Sequence, residues 1–201
     1  MVAHKLGLGF WKAVLGLGLT LGLNATGLPS QGMEIDRGQV VESMPMAAMS
    51  GWQSAWFPVE NFVEYTSGFG PRSGGYHYGL DLAAPYGSYI RNWWTGRVVE
   101  VWEDNRCGTG IVIESGYWEH IYCHVKGRVG THQGRPYLID QGGGIVLWEG
   151  QMVNSGDRIG RVGMTGRTSG PHLHWGLKYA GQWVDPGMIL LAMSQSRIAG
   201  R

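Results

Sequence analysis

The chain has 201 residues, 43% of them hydrophobic, and sets 16 Lys and Arg against 15 Asp and Glu. That length and content support one core of ordinary size, and no fixed period points to a solenoid. A net charge of +1 without a Lys/Arg cluster excludes the basic face that a nucleic-acid binder needs.

In chain order, Met1 to Lys5 lead into a Leu/Gly-rich apolar stretch that Lys12 interrupts and that resumes from Ala13 to Leu23. The unbroken part is much shorter than the roughly 20 residues that a membrane span needs. Residues 1–27 therefore read as an export signal, with small residues at Asn24-Ala25-Thr26-Gly27 near a cut and an uncleaved anchor as the alternative. Membrane contact is expected only through that segment if it stays. Residues 28–55 read as a linker or short pro-segment, 56–192 as one domain and 193–201 as a tail.

Within the domain, Tyr76 to Leu82 lie between Gly74-Gly75 and Ala84-Pro85 and read as one strand. Alternation puts His77, Gly79 and Asp81 on one face and Tyr78, Leu80 and Leu82 on the other, with Gly79 leaving room between two donor side chains. Further strands are expected at Ile111-Val112-Ile113 and at His120 to His124, where His120, Tyr122 and His124 would share a face. If these two pair through a turn near Ser115-Gly116-Tyr117, Cys107 comes close to Cys123. In an exported chain that predicts a disulfide, with two buried thiols as the alternative. Arg135 to Asp140, Gln141 to Gly144 and Ile145 to Trp148 read as strand, turn and strand, so residues 127–148 are expected to form an accessory hairpin that borders the groove and tunes substrate choice rather than holding the fold together. The Gly-rich run from Gly163 to Gly170 lacks the ending of a phosphate loop and reads as turns with close backbone approach. Gly170 to Gly176 form a last strand, with His172 and His174 on one face at a Cα separation of roughly 6.5 to 7 Å. Trp93, Trp102 and Trp175 are expected in the core.

A catalytic zinc takes three protein ligands from His, Asp or Glu and keeps a fourth position for water. His77, Asp81 and one of His172 and His174 meet that count. The other member of that pair and His124 are candidates to accept the water proton or stabilise an oxyanion. No His-Glu-x-x-His helix motif occurs, so the site must be built on strands. His120 and Tyr122 are expected to line the groove and bind substrate.

Several of these motifs stand in a familiar order. Ser67-Gly68-Phe69-Gly70-Pro71-Arg72, His77 to Asp81 with Ala83-Ala84-Pro85-Tyr86-Gly87, Tyr122-x-His124, the run from Gly156 to Gly166, and Gly170-Pro171-His172-Leu173-His174 together resemble the lysostaphin-type zinc endopeptidases, over about Trp56 to Leu191. The resemblance implies a mainly β, antiparallel, half-open sandwich of the duplicated hybrid motif kind with a groove over one zinc ion. It implies His77, Asp81 and His174 as ligands and His124 and His172 as the catalytic pair. It implies hydrolysis of peptide bonds in peptidoglycan stems or cross-bridges; with the export signal, a monomer acting in the periplasm or outside the cell is expected. A catalytically inactive relative that binds cell wall or activates a partner enzyme is the alternative. Two departures stand out: Gly176 follows Trp175 where the family usually has Glu, and the segment between Val125 and Glu149 is longer than the usual link.

Overall fold

The computed structural model describes residues 54–199, so the predicted leader and nearly all of the predicted linker lie outside the described residues. Among the described residues fifteen strands and one α-helix follow in order, with a 3-10 turn at Gln141–Gly143: β1 Glu64–Ser67, β2 Gly70–Arg72, β3 Gly75–His77, β4 Leu80–Ala83, β5 Tyr89–Arg91, β6 Gly96–Asp104, β7 Gly108–Ser115 and β8 Trp118–Cys123. After these come β9 Arg128–His132, β10 Arg135–Asp140, β11 Ile145–Trp148, β12 Met152–Val153, β13 Arg158–Arg161, β14 His172–Tyr179, β15 Gln182–Val184 and α1 Pro186–Ala199. The pairing is antiparallel throughout, in agreement with the mainly β expectation.

The main sheet runs β1-β4-β14-β8-β7-β6-β12, with β15 added on β14. Its inner face comes from alternation. Leu80 and Leu82 of β4, Leu173 and Trp175 of β14, and Ile111 and Ile113 of β7 are all buried, and Trp93 and Ile159 pack with them in one continuous core. Each such side chain contributes roughly 1.5–3 kcal/mol on burial. Trp102, by contrast, is only half-buried. Ala55, placed in the linker by sequence, is fully buried in this core, and α1 carries the chain on through residues 193–199, read as a tail. Among the described residues no helix is long and apolar enough to cross a membrane.

Three expectations need correction. Residues 76–82 are two strands rather than one: β3 pairs with β2, β4 joins the main sheet, and Tyr78-Gly79 form the break between them. The segment after Val125 holds three strands, ordered β11-β10-β9, where a hairpin was expected. β9 was illegible because Arg128-Val129-Gly130-Thr131-His132 has no apolar alternation; its pairing to β10 supplies its order. Nor is the segment an appendage, since Leu138, Ile145 and Leu147 are buried in the main core and Asp140 forms a two-bonded ion pair with Arg161 of β13 at 2.6 and 2.8 Å.

Candidate metal centre

The register of β14 builds the site. His174 stands opposite Asp81 of β4 on one side and Cys123 of β8 on the other, so Asp81 and His174 share the face turned away from the Leu173/Trp175 core. His77 ends β3 just before the break and is brought over the same spot. Its Nε2 lies 2.9 Å from Nδ1 of His174 and 3.1 Å from Oδ1 of Asp81. Nδ1 of His174 lies 2.9 Å from that same oxygen. Gly79 is required for this approach: a Cβ there would sit 2.5 Å from Cε1 and 2.6 Å from Nε2 of His174.

His77 donates its Nδ1–H to the carbonyl of Gly68 at 2.7 Å, which leaves the lone pair of Nε2 aimed at Asp81 and His174. Two imidazole nitrogens and a carboxylate oxygen thus converge with spacings near the roughly 3.3 Å that ligands of one tetrahedral zinc keep from each other. The donor set fits such an ion. Burial alone would raise the Asp81 carboxyl, but when the His174 and His77 rings carry a proton on the nitrogens that face it, their hydrogen bonds and charge hold it far below the usual range. Burial pushes His174 down, against the pull of Asp81.

His172 and His124 flank this trio. Their ring centroids are 4.7 Å apart, and Nε2 of His172 is 3.7 Å from Oδ1 of Asp81. Nδ1 of His172 donates to the carbonyl of Gly170 at 2.9 Å, and Nδ1 of His124 to that of Thr165 at 2.9 Å. In both rings Nε2 is therefore the atom free to exchange a proton. His124 is held below its ordinary pKa, first by burial and further by His172 and His174, while its bond to the Thr165 carbonyl opposes the shift.

The five residues singled out by motif are thus gathered in one place, whereas His120 and Tyr122 are not part of it. Both are completely buried on the core face of β8, where His120 meets Ser115 Oγ at 2.8 Å and the Tyr122 hydroxyl at 3.1 Å. That hydroxyl also accepts from the Trp93 amide at 3.0 Å. Neither has surface to offer a substrate. Their shared face with His124 fails because His124 leaves the strand with φ 60 and turns to the opposite side. Cys107 and Cys123 form a disulfide, since β7 and β8 pair through the turn between Ser115 and Trp118.

Sequence reasoning missed the carbonyl partners of Gly68, Thr165 and Gly170, and it missed Arg72, whose guanidinium meets Oδ2 of Asp81 at 3.3 Å. Arg72 closes the first motif, but only the β2–β3 pairing shows where it reaches.

Residues 138–186 match the profile of Peptidase family M23. The peptidoglycan DD-endopeptidase ShyB of Vibrio cholerae is 30% identical over 149 residues, 70% of this chain and 31% of its own length. The chain thus spans about a third of the length of the first curated relatives it matches. A zinc-containing peptidase of Vibrio cholerae superposes with TM-score 0.52 at 28% identity, over 68% of this chain and 38% of that one. The catalytic domain of the antimicrobial peptidase lysostaphin from Staphylococcus simulans gives TM-score 0.50 at 25% identity, over 63% of this chain and 91% of that one.

Proposed function

The domain is of the lysostaphin-type, M23 peptidase kind, and from that premise we propose that the protein is a zinc-dependent endopeptidase that cleaves peptide bonds in peptidoglycan stem peptides or cross-bridges. The observation that carries the reading is the convergence of Nε2 of His77, Oδ1 of Asp81 and Nδ1 of His174, with two further imidazoles beside them. An inactive relative would have no reason to keep all five. The names of the relatives support peptidoglycan as substrate and zinc as the metal. A disulfide fits action outside the cytoplasm, where such bonds persist.

His77, Asp81 and His174 would hold the ion, which when bound supplies Lewis-acid chemistry, making water acidic near neutral pH and polarising a substrate carbonyl. The chain's own residues then manage protons. His124, kept neutral by burial, accepts a proton at Nε2 without losing the Nδ1 bond that fixes its ring. His172 presents Nε2 to the same space and, when that nitrogen carries a proton as well as Nδ1, can donate to an oxygen that gains charge or to the departing amine. Departure of the usual Glu after Trp175 removes neither a donor nor a base: Gly176 lies beneath the carbonyl of Tyr78, where a Cβ would come to 3.1 Å.

The test is to incubate the zinc-loaded protein with cross-linked muropeptides and to identify products by mass. New amino and carboxyl ends at one defined peptide bond, abolished by a chelator and restored by zinc, are expected. Stoichiometric zinc with no product from any cross-link type would overturn the activity.

A further inference from the structure

β8 stops at an unusual point. Continued alternation would place His124 on the face of His120 and Tyr122, inside the core. Instead His124 takes the left-handed conformation, φ 60, which a residue with a side chain keeps only where its surroundings hold it there. The residue immediately before it is Cys123, bonded to Cys107 in the turn between β6 and β7.

That turn touches His124 twice over. The amide of His124 donates to the carbonyl of Cys107 at 2.8 Å. The loop that receives the ring of His124 at Thr165 is seated on the same turn: the Thr109 amide donates to Thr165 Oγ1 at 3.0 Å, and the Arg167 amide to the Arg106 carbonyl at 2.9 Å. The seat is backbone against backbone, since a Cβ on Gly108 would lie 2.3 Å from the Thr165 carbonyl carbon and one on Gly166 2.2 Å from the Gly108 amide. One covalent link therefore joins the strand end that carries His124 to the platform that orients its ring.

We propose that the Cys107–Cys123 disulfide is a positioning device for His124, fixing its left-handed turn and the direction of its Nε2, beyond any part it takes in holding the sheet together. The inference rests on the peptidase reading where it concerns turnover, but its structural half does not. Loss of the link frees Cys123 to extend, and the ring of His124 then samples directions in which Nδ1 no longer meets Thr165. His77, Asp81 and His174 are held by other bonds, to Gly68 and across β4–β14, so the metal stays.

The experiment compares the full zinc-loaded chain with its Cys107→Ala/Cys123→Ala variant. Three readings are taken: zinc per chain, kcat and KM on a cross-linked muropeptide, and nitrogen NMR of the histidine rings, with signals assigned by His→Gln variants. Expected are unchanged zinc, kcat lower by about 10- to 100-fold with KM within about twofold, and loss of the single Nδ1–H form of His124 while His77 keeps its own. If the variant does not fold, the oxidised protein is opened with a phosphine, which becomes phosphine oxide as the disulfide takes up two electrons and two protons from water, and the same spectra are read. An unchanged His124 signal overturns the proposal. So does unfolding of both forms, which would make the bridge a staple of the whole sheet. Should even the unaltered protein show no turnover, the peptidase reading fails and the NMR comparison still decides this one.

Discussion

Arg72 reaches across from β2 to place its guanidinium 3.3 Å from Oδ2 of Asp81, while Oδ1 of the same carboxylate faces both His77 and His174. One oxygen is thus engaged by the guanidinium and the other is left for the ion that the trio would hold. Arg72 is 44% exposed at its side chain, so solvent screens the pair and its direct contribution to stability is small. Its effect should appear in metal affinity. Arg72→Ala is expected to weaken zinc binding by about 10- to 100-fold, measured by competition against a chromogenic chelator, with the thermal midpoint of the metal-free protein nearly unmoved. Equal affinities would deny Arg72 that influence.

Ligand and proton carrier should separate on substitution. His174→Ala removes Nδ1 from the trio and should empty the site of zinc. His172→Ala and His124→Ala should keep one zinc per chain while turnover falls by roughly 10² to 10⁴. Paired metal content and muropeptide kinetics distinguish them, and an empty site in His172→Ala with a full one in His174→Ala would reverse the assignment.

Gly79→Ala tests how closely the break between β3 and β4 is fitted to the site. The new Cβ would meet Cε1 of His174 at 2.5 Å and the carbonyl of Trp175 at 2.9 Å, and the backbone of β14 cannot retreat without leaving β4. Zinc content is expected to drop sharply although the variant still unfolds in one transition. Full occupancy would mean that the ring has another place to go.

His120 makes stability depend on pH. Burial pushes its pKa down to about 3, against about 6.5 in the unfolded chain. The unfolded chain therefore binds the extra proton over that interval, so this contribution is fully present above about pH 6.5 and is lost as pH falls toward 3. Thermal midpoints of metal-free protein should fall more steeply with acid than those of His120→Asn, which cannot titrate. Parallel curves would count against a neutral buried His120.

The segment from Gly127 to Trp148 should prove structural. Leu138→Ala is expected to cost about 2–5 kcal/mol by chemical denaturation, as for other buried leucines. Replacing the whole segment with a short turn should abolish the cooperative transition. A stable, well-folded deletion would restore the view of it as an accessory.

The site was legible because its residues are of rare type and stand in motif order: His77, Asp81, His124, His172 and His174 can be read along the chain. Their atoms of attachment could not be read, since Nδ1 of His174 and Nε2 of His77 are chosen by distant carbonyls and by the β4–β14 register. Alternation correctly put Leu80, Leu82, Leu173 and Trp175 inside, but it misled at both ends of β8 logic: it drew His120 and Tyr122 to the groove and missed the left-handed turn at His124. Period-2 reasoning holds only while a strand lasts, and no local residue preference announced the stop. β9 escaped for a different reason, being ordered by its neighbour rather than by its own composition.

Arg197, near the end of α1, donates to the carbonyl of Ala55, so the first and last turns of the described domain meet. The order of strands in space does not depend on which covalent ends are open, provided that those ends are near each other. A circular permutant follows: residues 55 and 199 joined by a short Gly/Ser linker, with new termini at the exposed Gln133-Gly134 turn, where both residues already have positive φ. Such a chain would synthesise the β10 to β14 half before the half that carries His77, Asp81 and His124, so the order in which the site's parts leave the ribosome can be inverted while the finished site stays the same.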